Sequence, residues 1–521
     1  SGLLILTVTI YAIVIYTHAP FPKRSGKVDT TLPLNEYGFG PEKRLLVFDL
    51  TEIGSAENIH SSDKDFAKLT WSDTSGSQTS TIGIELKGAG FDQRQKLNLA
   101  FEIWSEKDDG VPCTSIDTCD DDKEEMFNFG EKYEDYVLRG GWHEQTLVRD
   151  YVASELYGGI LQKELVEVLF KFGDRYTYEG VYLLFPSIQR RVLEKRLNWD
   201  SKGKAEDCDD DDYDINKVSL IIEHTIGTSP RKYSDDLFKD YNVKMRYPKS
   251  TFYDEEEIKP CRDAYMNRTN HFASVLSWKN ETPVALDLES FANNYLAEML
   301  MREDDFPFTS QYFYVNPDNS QLYAGPRWDY DRAYWRIASH KSWNLIDLGN
   351  FIFHRPMKLW RRLGKDQTFI DLVKGKKQVL TYNKERAINI TDYRKKQFDD
   401  GLFDRELDRW SMFGKKPYQG NYLLYIVHGA YSKKTPQLEL EHMKEIFTAR
   451  SDWMLDNIES FDGYSVSNDS QLLLLLLMLT PIWLLLILTI YFLVMWIRKD
   501  KNYVAITTNE RRKLNVLQLK F

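Results

Sequence analysis

The sequence Gly325-Pro326-Arg327-Trp328-Asp329-Tyr330-Asp331 places two carboxylates on either side of a bulky aromatic residue, directly after a Gly-Pro turn. Another acidic pair, Asp304-Asp305, precedes it, and the apolar run Gln311–Val315 lies between the two. Burying several acids together is costly unless a cation binds among them. Hard divalent cations such as Mg²⁺ use carboxylate oxygens and usually share their ligand shell with substrate phosphates, so this region suggests phosphoryl transfer. Taken alone, an Asp-x-Asp motif is more often a turn of solvated acids.

The composition of the chain limits its structural and functional class. Its 521 residues are 42% hydrophobic, which is enough for one large globular body with a sizeable core. The net charge of −11 argues against nucleic acid as a partner, because nucleic-acid-binding proteins usually present a basic face. Four cysteines, Cys113, Cys119, Cys208 and Cys261, permit two disulfides whose pairing the sequence leaves open. They form no Cys-x-x-Cys motif, so a structural zinc site is not expected.

Two uncharged segments lie near the ends of the chain and predict a membrane topology. Leu472–Ile497 has no charged residue and is long enough to cross a hydrocarbon core of about 30 Å as a helix. Basic residues follow in the tail 498–521, which the positive-inside rule places in the cytoplasm. Residues 1–17 are expected to be a signal peptide or a signal-anchor remnant. We therefore expect a single- or two-pass protein, held in the lipid bilayer by 472–497, with a lumenal or extracellular body.

Four Asn-x-Ser/Thr sequons lie between the two apolar segments, as N-glycosylation of an exported body requires. Chance alone supplies some such triplets, so the sequons support this topology without proving it. The candidate acceptors are Asn267, Asn280, Asn389 and Asn468.

Apolar periodicity divides the body into a strand-rich first part and a helix-rich second part. Period-two alternation predicts strands at Leu45–Leu50, Ile82–Leu86, Leu97–Trp104, Tyr136–Arg139 and Val218–Glu223, and a hairpin from Val166–Phe172 and Tyr178–Phe185. Helical spacing predicts helices at His143–Tyr157, Asp254–Leu276, Asp287–Arg302 and Gln437–Ile458. This order is typical of an α+β fold.

Several motifs occur in the order found in the CotH-type (spore-coat protein H) atypical protein kinases, which the chain resembles over roughly residues 80–460. The most specific is Gly325–Asp331, which resembles the family's Gly-Pro-x-Trp-Asp-[Phe/Tyr]-Asp signature. Further segments similar to family motifs are Val137–Asp150 (Leu-Arg…Arg-Asp), Tyr178–Leu184 (Gly-Val-Tyr), Arg246–Pro248 (Tyr-Pro), Asp287–Phe291 (Asp-x-x-Ser-Phe) and Asp305–Tyr312 (Asp-x-x-x-x-Ser-x-Tyr).

This resemblance implies an atypical protein-kinase-like fold. Residues 43–280 would form a β-rich nucleotide-binding lobe with acidic insertions, residues 281–462 a helical catalytic lobe, and residues 18–42 a linker that precedes them. The implied reaction transfers the γ-phosphoryl group of ATP, with Mg²⁺ or Mn²⁺, to Ser or Thr hydroxyls of a protein substrate.

The resemblance also implies roles for individual residues. Asp305 would be the catalytic base and Asp329 the main metal ligand. Asp331 would be either a second ligand or a partner of the ligating residues, and Ser310 a further ligand. A turn at Asn316–Ser320 would form a hairpin that returns Asp329 to the vicinity of Asp305.

The sequence gives no standard phosphate-binding loop. Neither a Gly-x-Gly-x-x-Gly nor a P-loop motif is present, so the phosphate contacts must come from other residues. The candidate cations are Lys96, Arg139 and Arg149, although Lys96 could also be a surface strand residue. Glu179 and Glu223 could each pair with such a cation, as in the Lys–Glu pair of protein kinases.

Two other functions remain open at this point. The first is a catalytically inactive CotH-like surface, adhesion or structural protein. The second is a carboxylate-pair glycosidase, with Asp305 and Asp329 on either side of a sugar cleft. The glycosidase hypothesis leaves the Gly-Pro-Arg-Trp element unexplained.

Overall fold

The structure is a computed structural model that divides the chain into two compact units, residues 1–464 and residues 465–521. It describes residues 29–30, 44–61, 63–73, 76–88, 96–107, 113–115, 118–120, 132–141, 144–198, 214, 219–224, 243–248, 259–277, 286–303, 310–317, 320–331, 333, 358–410, 413, 434–463 and 489. Within these ranges, no helix is both long enough and apolar enough to cross a membrane. The predicted span Leu472–Ile497 lies outside them except for Thr489, and so do the predicted segments 1–17 and 498–521.

The first half of the body forms a sheet of nine strands. These are β1 (Asp29–Thr30), β2 (Leu45–Asp49), β3 (Asp65–Asp73), β4 (Gly76–Leu86), β5 (Leu99–Glu106), β6 (Cys119–Asp120), β7 (Asp135–Arg139), β8 (Glu164–Phe172) and β9 (Arg175–Pro186). Seven of them, in the order β9-β7-β5-β4-β3-β2-β8, form a closed sheet because β8 also pairs with β9. All pairings in the closed sheet are antiparallel except that of β2 with β8.

Period-two alternation along these strands sends side chains to two different cores. On β7, Tyr136 and Leu138 belong to the core inside the closed sheet, whereas Val137 belongs to the larger core shared with the helices. On β9, Tyr182 and Leu184 likewise face inward, and the intervening Leu183 packs with the helices. The closed sheet and the helical region are therefore joined by one continuous apolar interface.

A second sheet of four strands leads into the Gly325–Asp331 segment. Its strands are β10 (Leu220–His224), β11 (Val243–Tyr247), β12 (Gln311–Val315) and β13 (Leu322–Ala324), in the order β11-β10-β12-β13 and all antiparallel. The predicted hairpin is confirmed: β12 and β13 pair, and the amide of Ser320 donates to the carbonyl of Asn316 at 2.9 Å.

Helices occur along the whole body, and among the described residues they predominate in its second half, as predicted. The helices are α1 (Arg149–Glu155), α2 (Arg190–Leu197), α3 (Lys259–Ser277), α4 (Leu288–Met301), α5 (Lys358–Leu363), α6 (Gln367–Lys374), α7 (Lys377–Asp399), α8 (Asp404–Arg409) and α9 (Pro436–Asn457), with 3-10 turns at Ala56–Asn58 and Ile458–Ser460. Side chains cap some of these helices at their first turn. Asp287 accepts a hydrogen bond from the Ser290 amide at 2.7 Å and caps α4, and the Thr435 hydroxyl caps α9.

The mixed α+β class is confirmed, and several elements differ from the sequence prediction, which contained neither β11 nor α2. The helix expected at His143–Tyr157 is wrong at its start, since α1 begins at Arg149. Leu147 has a left-handed φ of 53°, and the Glu144 carboxylate accepts the amides of Thr146 at 2.9 Å and Arg149 at 3.1 Å. Strand β3 was not predicted, although its buried Ala67, Leu69 and Trp71 follow period two.

Cysteine pairing and the sequons are described in part. Cys113 and Cys119 form a disulfide, whereas the side chains of Cys208 and Cys261 lie outside the described residues. Asn267 on α3 and Asn389 on α7 are exposed, and Asn280 and Asn468 lie outside the described residues. Glycosylation of these asparagines stays a prediction.

Candidate functional site

The Gly325–Asp331 segment leaves the end of β13 and contacts α1. The guanidinium of Arg327 donates to the carbonyl of Ala153 at 2.8 Å and also to that of Leu156. Carbonyls in the last turn of a helix lack partners within the helix, and a cation is favourable there. Arg327 therefore fixes the entry of the segment to the C-terminal end of α1.

Trp328 packs between the two sheets. Its ring lies 5.3 Å from that of Phe185 on β9 and 6.0 Å from that of Tyr312 on β12, measured between centroids. The guanidinium of Arg139 lies 5.7 Å from the same indole ring. These contacts place the next residue, Asp329, at the end of β7, where Arg139 is the last strand residue.

Arg139 contacts three carboxylates. Its Nη1 nitrogen forms a hydrogen-bonded ion pair with Asp329 and lies 3.4 Å from Oδ2 of Asp331. Its Nε lies 3.0 Å from Oδ2 of Asp150 on α1. Burial alone would lower the pKa of Arg139, but these three acids outweigh it and raise the pKa above its ordinary value. The guanidinium is therefore firmly charged and shared between α1 and the Asp329–Asp331 pair.

Asp150 joins the acidic segment to α1, and sequence analysis gave it no role. Its Oδ1 accepts the backbone amide of Tyr330 at 2.8 Å. The ammonium of Lys163, only 1% exposed, donates to the Asp150 carbonyl at 2.9 Å and lies 3.4 Å from Oδ1. Burial lowers the pKa of Lys163 below its ordinary value, although Asp150 favours the charged form. Lys163 was missed because it lies in a polar stretch without any motif.

Tyr330 is held at both ends. Its backbone is bound by Asp150, and its buried phenol donates to Oε1 of Glu298 on α4. The same oxygen accepts from Nε2 of Gln311 at 3.1 Å. Asp329 has a φ of 67°, a left-handed conformation that non-glycine residues adopt only when their surroundings hold them there. The fixed Tyr330 and Trp328 on either side of Asp329 provide that restraint.

Glu298 is expected to make the stability of the protein depend on pH near neutrality. Burial raises the pKa of its carboxyl from 4.5 to about 7, an effect larger than the opposing hydrogen bonds and the charge of Arg327. The folded state thus favours the protonated acid. Its stabilising contribution is complete below the unfolded-state pKa and is lost as the pH rises through about 7. Glu298→Gln keeps an acceptor oxygen for Tyr330 but cannot ionise.

As the pH rises from about 5 to about 8, ionisation of Glu298 should lower the free energy of unfolding of the parent protein by roughly 3 kcal/mol. Glu298→Gln should not show this loss. Urea unfolding of both proteins at the two pH values measures this difference. The same pH dependence in both would contradict the assignment.

Lys96 and Arg149 form ion pairs with carboxylates other than Asp329 and Asp331. The Lys96 ammonium donates to Oε1 of Glu406 on α8 and to the carbonyl of Val181, each at 2.7 Å, and is 1% exposed. The interpretation of Lys96 as a surface strand residue is therefore wrong, since it is buried and precedes β5. Burial lowers the pKa of Lys96, and Glu406 opposes this effect. Arg149 pairs with Glu439 of α9 at 2.7 Å.

Gly180 is the close approach that admits Glu406 to β9. It has a φ of 118°, and a Cβ at this position would lie 2.1 Å from Oε2 of Glu406. Gly180→Ala is expected to lower the free energy of unfolding by about 2 kcal/mol more than Gly76→Ala does. Gly76 is a matched control because its φ is 129° and nothing lies within 4 Å of the added Cβ. Urea unfolding of both variants measures the difference, and equal losses would show that the clash is relieved.

The remaining predicted site residues have separate positions. Glu179 pairs with Arg409 at 3.2 Å and Glu223 with Arg246 at 2.6 Å, so each has a cationic partner, but not one of the three predicted. Ser310 precedes β12 with a φ of 58°. Asp304 and Asp305 lie outside the described residues, so the role of Asp305 stays a prediction.

The carboxylates of Asp329 and Asp331 are suited to form part of a site for a hard metal ion. Among the described residues, no group of three or more His, Cys, Asp or Glu side chains could hold a metal ion. The carboxylates of Asp329 and Asp331 nevertheless both contact one nitrogen of Arg139, Nη1, and so converge on one point. Mg²⁺ commonly takes one or two protein carboxylates and completes its shell with waters and substrate phosphates. Both the chemistry and the convergence of this pair therefore fit Mg²⁺ or Mn²⁺.

Comparison with known families assigns the chain. A family model described as CotH kinase protein matches residues 84–454, which is more than half of the sequence. The chain belongs to the CotH kinase family. No curated protein matches it significantly. The region of this CotH family protein that matches begins in β4, ends in α9 and includes the Arg139 cluster together with Lys163 and Glu298.

Proposed function

We propose that this CotH family protein transfers the γ-phosphoryl group of ATP to Ser or Thr hydroxyls of a protein substrate. The observation that carries the proposal is the convergence of Asp329 and Asp331 on Arg139, between the closed sheet and α1. Phosphoryl transfer requires positioned charges of both signs and little covalent chemistry from the protein, and this cluster supplies both. In the proposed kinase-like arrangement, the closed sheet belongs to the nucleotide-binding lobe and α4 to α9 belong to the catalytic lobe.

The proposed roles follow from charge and contact. Asp329 and Asp331 would hold Mg²⁺ or Mn²⁺, with Ser310 as a further ligand, and the metal would neutralise charge on the phosphates. Arg139 presents a planar set of donors that matches phosphate oxygens. Asp305 would accept the proton of the substrate hydroxyl. Arg139 is the best placed of the three proposed phosphate contacts because it lies beside the proposed metal ligands, whereas Lys96 and Arg149 pair with Glu406 and Glu439.

We further propose that the body faces the lumen of the secretory pathway or the cell exterior and is anchored in the lipid bilayer by residues 472–497. The uncharged sequence of that segment and the basic tail support this topology. The Cys113–Cys119 disulfide also supports it, since disulfides persist mainly in oxidising compartments.

Nucleotide binding by the full chain tests the proposal. The chain would be purified and its thermal unfolding followed during titration with ATP in the presence of Mg²⁺ or Mn²⁺, and transfer would be measured with γ-labelled ATP. We expect a rise in melting temperature that requires both nucleotide and metal, because ligands that bind only the folded state stabilise it. Absence of any nucleotide-dependent shift with either metal would refute the kinase proposal.

One observation favours the alternative of a catalytically inactive surface or structural protein. Arg139 already neutralises both carboxylates that would bind the metal. A protein of this kind would keep its surface or structural role in the cell when Asp329 and Asp305 are both replaced by asparagine. A kinase would lose its function.

A further inference from the structure

We infer that Arg139 is an internal counter-cation of Asp329 and Asp331 and that a divalent metal displaces this arginine. Asp150 holds the guanidinium of Arg139 when the metal binds the other two carboxylates. Arg139 is thus a positioning residue for the metal ligands. This inference rests on the proposed function, because it concerns the metal of that site.

The contacts of Arg139 are the first ground for this inference. The carboxylates of Asp329 and Asp331 both contact Nη1 of Arg139. A metal ion bound by both carboxylates would have to share or replace these contacts. Asp150 would still hold the guanidinium if Nη1 lost its contacts with Asp329 and Asp331, because Nε of Arg139 lies 3.0 Å from Oδ2 of Asp150. Asp150 is 2% exposed and Arg139 is 7% exposed, so both charges interact in a medium of low dielectric constant. The contact of Arg139 with Asp331 shares this buried environment, since Asp331 is 8% exposed, whereas the Asp329 side chain is 31% exposed. Both contacts would compete with a bound metal.

Asp150 holds the opposite side of the balance. Its carboxylate attracts Arg139 and Lys163 away from the acidic pair, and it binds the amide of Tyr330. Neutralising Asp150 would leave both cations to interact with Asp329 and Asp331. Neutralising Arg139 would remove a cation that both acids contact and would increase their mutual repulsion, which a bound metal relieves. The two changes should therefore move metal affinity in opposite directions, although both remove part of one buried network.

The test uses Mn²⁺ alone as the probe, with the full chain and no nucleotide, and measures free Mn²⁺ by electron paramagnetic resonance. Arg139→Gln is expected to bind Mn²⁺ on the order of tenfold more tightly than the parent protein, and Asp150→Asn on the order of tenfold more weakly. Arg386→Gln is the control, because Arg386 pairs with Glu155 and does not contact the cluster. Its Mn²⁺ affinity should equal that of the parent.

Weaker or unchanged Mn²⁺ binding by Arg139→Gln would overturn the inference, since a purely structural arginine gives a loss in both variants. If Arg139→Gln is unstable, Arg139→Lys keeps a charge but only one nitrogen, and a smaller gain in Mn²⁺ affinity is then expected, whereas none overturns the inference. The outcomes separate the two proposals. If Mn²⁺ affinity changes in opposite directions in the two variants but the protein transfers no phosphate, the displacement of Arg139 by metal is supported and the kinase function is refuted. If the protein transfers phosphate without these opposite changes in affinity, the kinase function is supported and the displacement is refuted.

Discussion

Asp329→Asn is expected to reduce phosphate transfer on the order of 10²- to 10³-fold, because one preorganised charge of this kind usually contributes that much to the rate of the chemical step. The amide keeps the size and the left-handed backbone preference of the aspartate but supplies no negative charge to a metal. The measurement is incorporation of label from γ-labelled ATP at saturating Mg²⁺ or Mn²⁺, with kcat and KM determined separately.

The loss should occur without unfolding. Arg139 keeps Asp150 at 3.0 Å and Asp331 at 3.4 Å in the variant, and the Asp329 side chain is 31% exposed, so no isolated buried charge results. Asp371→Asn is the matched control, since Asp371 lies exposed on α6 and contacts Gln367. We expect the control to retain full transfer. A normal rate in Asp329→Asn would exclude this residue as a metal ligand, whereas absence of transfer in the parent protein as well would favour the inactive alternative.

Local periodicity accounts for most of the strands and the main helices. Strands β2, β8 and β9 were predictable because half-buried strands alternate apolar and polar residues, and α4 and α9 because their apolar residues recur on one face. Closure of the sheet could not be predicted. It depends on the parallel pairing of Leu45 with Glu167, and no local pattern specifies a partner so distant in the sequence.

The candidate site divides in the same way. The Gly325–Asp331 motif could be recognised because its residues are consecutive. Asp150, Lys163 and Glu298 could not be given roles, because each role comes from contacts in space with Tyr330, Arg139 or another member of this group. Even the position of Asp150 in the Leu-Arg…Arg-Asp motif did not indicate its contacts. Lys96 shows the limit most clearly, since the polar residues before it favour exposure, whereas its buried partner Glu406 lies 310 residues further along the chain.

Lys96→Met is expected to lower the free energy of unfolding by about 3–5 kcal/mol, because removing one member of a buried ion pair leaves the other charge uncompensated. Lys96 and Glu406 are each 1% exposed, and their contact at 2.7 Å joins the closed sheet to α8. Urea unfolding of the full chain measures the change. Lys396→Met serves as the control, since Lys396 pairs with Asp400 on the surface of α7 and we expect no measurable effect there.

The double variant Lys96→Met/Glu406→Gln decides whether charge or packing causes the loss. Oε2 of Glu406 also accepts the amide of Val181 at 2.9 Å, and glutamine can keep that hydrogen bond without a buried charge. Replacing both charges should therefore restore most of the stability lost in Lys96→Met, as expected for a buried pair whose desolvation cost nearly cancels its attraction. No recovery would instead show that the contacts of the lysine with Val181 and Tyr182 are what stabilise the interface. A Lys96→Met protein of normal stability that fails to bind ATP would support the original prediction of a nucleotide contact, because Glu406 would then not depend on Lys96 in the folded protein.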